Sequence, residues 1–364
     1  MVKNREQEKS PDGKGTIARI VDWLWSPFSF QRVSPQTPWQ QWYHWPLKDL
    51  GAIGGERLRG IFSPLYDDAN IERYIHEQFC AQAQTYAEKY TAIEYFTLLL
   101  SDAFSKIGWE GQQRAGLAIL DIGSGAGNSI FPLLQLCPDS LVIASDLSLE
   151  LLVLLKRSLQ DQGLHNRCAL LQLNAENLDF TPESFDLVVG AAVLHHLFSP
   201  DLTLLGCARI LRPGGYATFF EPFENGNAIL SLIYRAILQH AQQGSLAPEV
   251  QALLHSQARD HTVRKGREKT SPLLQQMDDK WLFTKHYFEE MADKAGFSEC
   301  QIYPLHSPEH QFAKQIEVNL RLGIGKGREA LPQWAWEIVQ FYDEFFSPDL
   351  KTDLVIEGGV ILRK

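Results

Sequence analysis

Little in this sequence points to export, a membrane span or a polyanionic partner. Cysteine is scarce, with Cys80, Cys137, Cys168, Cys207 and Cys300 scattered through 364 residues and no C-x-x-C spacing. A disulfide framework or thiolate metal centre is therefore not indicated, and buried free thiols are expected. No apolar run reaches the roughly 18 residues of a spanning helix. Met1 to Gly15 is polar and charged and lacks the apolar core of a secretory signal, so the expected location is the cytoplasm. Basic excess is missing too. A formal charge of -10 and a pI near 5.6 argue against a nucleic-acid-binding face.

What remains is an ordinary globular composition, 45% apolar and 21% charged, in a chain long enough for one catalytic domain with elaborations. Its most informative stretch is Leu120-Asp121-Ile122-Gly123-Ser124-Gly125-Ala126-Gly127. The apolar run from Leu117 to Ile122 suits a buried parallel strand, and the three glycines let the backbone turn tightly and approach a ligand. Asp146 follows Gly127 at about the 20-residue spacing of an acid that binds ribose hydroxyls in doubly wound folds. An adenosine-containing ligand is implied. A dinucleotide turn is G-x-G-x-x-G, and here the third glycine comes one residue early, with Asn128 in its place.

With Asp121 ahead of the first glycine, the turn resembles motif I of class I S-adenosylmethionine (SAM)-dependent methyltransferases. Further segments resemble that family in the right order: Leu173 to Phe180 as the loop after the third strand, Phe185 to Ala191 as the fourth strand, Ala192 to Leu197 after it, and Ile210 to Tyr216 as the helix-to-strand turn before the fifth. The pattern, over about residues 115 to 222 plus a closing tail, is most like the ubiquinone and menaquinone biosynthesis type. The resemblance implies SAM as cofactor. Asp146 would hold the ribose hydroxyls, with Leu147 beside it. Gly123, Ser124, Gly125 and Gly127 would pass under the methionine moiety, and Asp121 would orient its amino acid end. Asn174 and Ala175 would face adenine, and Gly190 would complete the set. Family members usually have Asp where this chain has Asn174; the amide oxygen still offers an acceptor.

His195 and His196, after the fourth strand, are candidate general bases because histidine titrates near neutrality. A backbone-bonding, structural role is the alternative for either. Glu221, ending the fifth strand, is a candidate base or substrate ligand, with structural pairing as the alternative. No Asn/Asp-Pro-Pro-aromatic segment follows the fourth strand, and Gly190 to Val193 offers no aspartate to hold magnesium. Metal-free methylation of oxygen or carbon on a small, lipophilic metabolite is the expected chemistry. A non-catalytic SAM-binding partner protein and an NAD(P)-dependent oxidoreductase are the rival classes. No nucleic acid or membrane span is expected; peripheral membrane contact and the oligomeric state stay open.

The expected fold is α/β, a doubly wound Rossmann-like seven-stranded mixed sheet with helical cap insertions and an N-terminal accessory region. The expected organisation is a disordered tail over 1–15, an accessory region over 16–85, and a catalytic domain over 86–364 with insertions near 225–284 and 305–352. Strands are expected near 117–122, 141–146, 168–174, 185–191 and 215–221, followed by a hairpin of 299–303 with 354–362. Helices are expected at 86–104, 228–240, 246–258, 285–295 and 334–346. Tyr86 or Tyr90 would lie near the sulfonium if the first of these closes over the cofactor. Trp23, Trp25, Trp39, Trp42 and Trp45 crowd the proline-rich accessory region, where they either pack against the catalytic domain or line an apolar entrance. Arg264, Lys265, Arg267 and Lys269 form a basic cluster, either a solvated loop or a site for an anion.

Overall fold

The apolar segments that punctuate the sequence come together as one twisted sheet in the computed structural model, which describes residues 33–64, 82–242 and 245–364. Its strands are β1 (Leu47–Asp49), β2 (Ile61–Pro64), β3 (Ala118–Ile122), β4 (Leu141–Asp146), β5 (Cys168–Gln172), β6 (Phe185–Ala191), β7 (Leu211–Pro222), β8 (Glu299–Pro304) and β9 (Glu357–Arg363). Their order is β1-β2-β5-β4-β3-β6-β7-β9-β8. The run from β2 through β5, β4, β3 and β6 to β7 is parallel; β1, β9 and β8 are antiparallel to their neighbours. Strand order reverses between β3 and β6, which places the crevice at the carboxyl ends of β3 and its two neighbours, β4 and β6, where open α/β sheets expose their ligands.

Among the described residues the sheet has nine strands where seven were expected. The stretch β5-β4-β3-β6-β7-β9-β8 is the expected mixed sheet, and the two additional strands come from the N-terminal region. Their β1–β2 pair was illegible because each strand is only three or four residues long and neither alternates cleanly. Trp39 is buried, Trp42 meets the Phe185 ring edge-on, and Tyr43 forms an isolated bridge with Phe180. These aromatics pack onto the sheet, while Trp45 is half exposed with its indole N–H on Asp179. The expectations for residues 1–15, Trp23, Trp25 and Cys80 lie outside the described residues.

The helix expected over 86–104 is two helices, Ala83–Tyr90 and Ile93–Lys106. Asn128 explains the break: its amide donates to the Tyr90 carbonyl at 2.8 Å and accepts from the Ala92 N–H at 3.0 Å, satisfying two groups that a continuous helix would pair internally. β7 starts at Leu211 and runs through the Pro213-Gly214-Gly215 turn, pairing from Leu211 onward across a register shift. Behind the sheet, Asp186 is fully buried. It accepts both the Ala118 N–H and a two-oxygen contact from Arg212 at 2.7 and 2.8 Å, pinning β6 to β3 and β7.

The two late insertions fold as one unit. Helices Glu224–His240 and Pro248–Arg264 from the first pack with Gln311–Ile324 and Gln333–Phe345 from the second around a separate core that includes Ile233, Tyr234, Leu254, Phe312, Ile316 and Trp336. The helix Gln311–Ile324 was not expected from sequence. Its start has no side-chain cap of its own, and buried Asp343 from the neighbouring helix accepts the Phe312 and Ala313 N–H groups in its place.

Candidate cofactor and acceptor site

Two acids and one turn meet at the carboxyl ends of β3 and β4. Gly123, Gly125 and Gly127 have φ values of 68, 52 and 111°, the left-handed region that glycine enters without a Cβ penalty. At Gly123 a Cβ would also stand 2.5 Å from Val193 Cγ2, so both the bend and the close approach require glycine. Ser124 N–H is tied to the Ser145 carbonyl at 2.9 Å, locking the turn against β4. Asp146 accepts the Gly125 N–H at 2.8 Å through one oxygen and the Ser148 N–H at 2.7 Å through the other. Burial pushes this carboxyl up to about 6, against the lowering effect of its backbone donors.

Asp121 is fully buried. One oxygen accepts the Ser129 hydroxyl at 2.9 Å, and the other has no hydrogen-bond partner among the described residues. Burial pushes it up to about 7. A buried carboxylate oxygen without a donor is unfavourable unless a polar or cationic group joins it. The ammonium and sulfonium of SAM are such groups, so the residues fit that cofactor. Beside it, the Leu147 carbonyl accepts from the Gln172 amide, and the Asn174 side-chain oxygen accepts the Glu176 N–H at 3.0 Å, turning the loop that carries Ala175. The Ala175 carbonyl in turn takes the Thr203 hydroxyl. Gly190 lies under the Phe219 ring, 2.6 Å from where a Cβ would stand. Tyr86 is raised by burial and then by Asp146, which puts its hydroxyl in the field of that carboxyl.

Asn128 occupies the position where a dinucleotide turn would have its third glycine, and its side chain is spent on Tyr90 and Ala92. That ties the helices before β3 to the turn.

A second group lies beyond β6 and β7. Ala192, with φ of 60°, turns the chain sharply after β6, and the following N–H groups converge on Glu221. Oε1 accepts from Val193 at 3.0 Å and Leu194 at 2.8 Å, while Oε2 accepts the His195 N–H at 3.2 Å and faces His195 Nδ1 at 2.6 Å. Glu221 is fully buried, and these contacts place donors on both of its oxygens. His195 Nε2 faces Asp279 Oδ1 at 3.6 Å, and His196 Nδ1 lies 3.4 Å from the same oxygen and 3.1 Å from the Asp278 carbonyl. Arg264 takes the other Asp279 oxygen at 3.2 Å.

Sequence reasoning missed Asp279. It reaches the site because the chain from Lys280 to Phe283 is strapped to the sheet edge: the Lys280 and Trp281 N–H groups donate to the His195 carbonyl, and Phe283 donates to Pro222. Nothing in the sequence marks an aspartate 84 positions away as a partner for His195. The basic cluster divides. Arg264 is mostly buried on Asp279, and Lys269 donates to the Arg264 carbonyl and lies over the Trp281 ring, while Lys265 and Arg267 are exposed, Arg267 pairing with Glu290 at 2.9 Å. His195, His196 and Asp279 bring three donor atoms within 4.8 Å of one another. Arg264 already neutralises this carboxylate, so the group does not call for a metal ion.

Residues 120–219 match the family model described as "Methyltransferase domain". Over 122 residues the chain is 34% identical to the ubiquinone/menaquinone biosynthesis C-methyltransferase of Hahella chejuensis and 31% identical to that of Cellvibrio japonicus. Each alignment covers 33% of this chain and 49% of the relative, so the match spans about half the relatives' length. Among solved structures, phosphoethanolamine N-methyltransferase 2 of Haemonchus contortus, in complex with phosphomonomethylethanolamine and S-adenosylhomocysteine, is similar at 16% identity and a TM-score of 0.46, over 87% of this chain and 66% of that one. Residues 120–219 are thus a class I SAM-dependent methyltransferase domain, similar to that of the ubiquinone/menaquinone biosynthesis enzymes, with SAM as its cofactor.

Proposed function

We propose that the whole chain is an enzyme that transfers a methyl group from SAM to a carbon or oxygen of a small, lipophilic metabolite without a metal. The observation that carries the reading is the pairing of a turn that only glycine can make with two acids, the buried Asp121 and the half-buried Asp146, at the same crevice. SAM, when bound, supplies a methyl made electrophilic by its sulfonium, so the protein's work is orientation. Asp146 and Leu147 hold the ribose side, Asp121 with Ser129 behind it meets the amino acid end, and Asn174, Ala175 and Gly190 border the adenine side. Carbon as acceptor is favoured by the printed names of the relatives, which are C-methyltransferases. The four-helix cap built from the insertions lies next to the acceptor side and is where we place substrate choice.

Glu221 in this reading shapes the post-β6 loop: with three N–H groups and an imidazole on its oxygens, it anchors His195. His195 and His196 then face the acceptor and handle its proton where one must leave. Among the described residues no helix is long and apolar enough to cross a membrane, and a cytoplasmic location is part of the proposal. The test is release of S-adenosylhomocysteine from SAM in the presence of quinols, phenols and isoprenoid acids. Turnover with one of these classes supports the reading. SAM binding without turnover on any of them would favour a binding module.

A further inference from the structure

We propose that Asp279, delivered by the first insertion, is a positioning residue that keeps the His195 imidazole at the acceptor edge doubly protonated. The argument starts from hydrogen placement. Glu221 accepts three backbone N–H groups, which fits the ionised, acceptor-only carboxylate, so at 2.6 Å His195 Nδ1 must carry the hydrogen of that contact. Nε2 then has either a lone pair or a second hydrogen toward Asp279 Oδ1 at 3.6 Å. Arg264 holds Asp279 ionised, and a lone pair against a carboxylate is repulsive, so the second hydrogen is favoured. His196 Nδ1 carries its hydrogen toward the Asp278 carbonyl at 3.1 Å and the same Asp279 oxygen at 3.4 Å.

Among the described residues, the charged and titratable groups facing His195 are Glu221 from β7, Asp279 and Arg264 from the insertion, His196 beside it, and Glu357 at the start of β9. Burial lowers the imidazole's value, yet Glu221 and then Asp279 outweigh it and the net direction is upward. Glu357 is itself pushed up to about 7 by burial, so near neutrality it adds only part of a charge.

The consequence rests on the proposed methyl transfer. An imidazolium cannot accept a proton from the methyl acceptor. His195 serves as a base only after its Nε2 proton has left. Asp279 is held between Arg264, at the end of a cap helix, and a segment whose Lys280 N–H donates to the His195 carbonyl, so the insertion sets the histidine's affinity for its proton.

The direct test is nitrogen-15 NMR of the full chain with labelled histidine, His195 being assigned by the signal lost in His195→Gln. At pH 7.5 the wild-type His195 should show both ring nitrogens protonated, and it should titrate above the ordinary value of about 6.5. Asp279→Asn should lower its pKa by about one unit or more, and Asp279→Glu should restore most of the shift. A wild-type His195 with one bare nitrogen at pH 7.5 would overturn the proposal without any Asp279 variant having to fold. An unchanged titration in a folded Asp279→Asn would overturn it as well. Failure of the methyltransferase reading would appear instead as absent SAM binding, a measurement independent of the histidine signals.

Discussion

The Asp146 carboxylate reaches back across the glycine turn and accepts the Gly125 N–H at 2.8 Å, with its second oxygen on the Ser148 N–H at 2.7 Å. The acid that would hold a ribose is thereby fixed to the loop that would pass under the methionine end. Asp146→Ala should weaken SAM binding at least about tenfold, because a charge-assisted contact worth roughly 1.5–3 kcal/mol disappears. Calorimetric titration of the variant checks this; unchanged affinity would remove Asp146 from the cofactor site.

The same carboxyl gives binding a pH dependence. Its value is pushed up to about 6 by burial, so it is largely protonated at pH 5 and largely ionised at pH 7. SAM carries a sulfonium and an ammonium and favours the ionised form. Affinity should therefore rise between pH 5 and pH 7, with proton release on binding near pH 6. Asp146→Asn should flatten the part of the profile centred near 6.

Asp121 predicts a stability trend of definite sign. Its folded value is raised to about 7, above an unfolded carboxyl near 3.9, so the folded chain holds the proton over that window. Stability from this group is fully present below about pH 4 and is lost as pH rises through about 7. The stability difference between wild type and Asp121→Asn should shift against wild type over that window, by at most about 1.4 kcal/mol per pH unit. Urea unfolding of both proteins from pH 4 to pH 8 measures it, and a pH-independent difference would contradict the burial argument.

Gly123→Ala should destabilise the fold by about 1–3 kcal/mol, since the new methyl would meet Val193 Cγ2 at 2.5 Å and the residue would keep a φ of 68°. Adding Val193→Ala should recover the steric part alone. Full recovery in the double variant would mean that the backbone angle is not limiting.

Asp186→Ala should cost about 3–5 kcal/mol by leaving Arg212 without its buried partner and the Ala118 N–H without its acceptor. Thermal unfolding reads this, and a loss under about 1 kcal/mol would show that the pair is dispensable.

Much of this architecture was legible because its signals are local. A glycine turn, an acid at a fixed interval and continuous apolar strands place β3, β4 and β6 from sequence alone, and the boundaries at 141–146 and 185–191 match the structure. What was not legible depends on distant partners. Periodicity from Tyr86 to Phe104 could not reveal the interruption, because Asn128 causes it from beyond β3. β1 and β2 are too short to announce themselves and are strands only because β5 offers an edge. Arg264 was visible as one charge in a basic run, but its partner Asp279 and their convergence on His195 follow from how the insertion returns to the sheet.

Calorimetric titration of the purified chain with SAM, S-adenosylhomocysteine and NADH tests the cofactor assignment most directly. Micromolar binding of the two sulfur ligands and none of NADH is the expected result. No binding of either sulfur ligand would contradict the assignment of the glycine turn, Asp121 and Asp146 to a cofactor, and the proposed methyl transfer would fall with it.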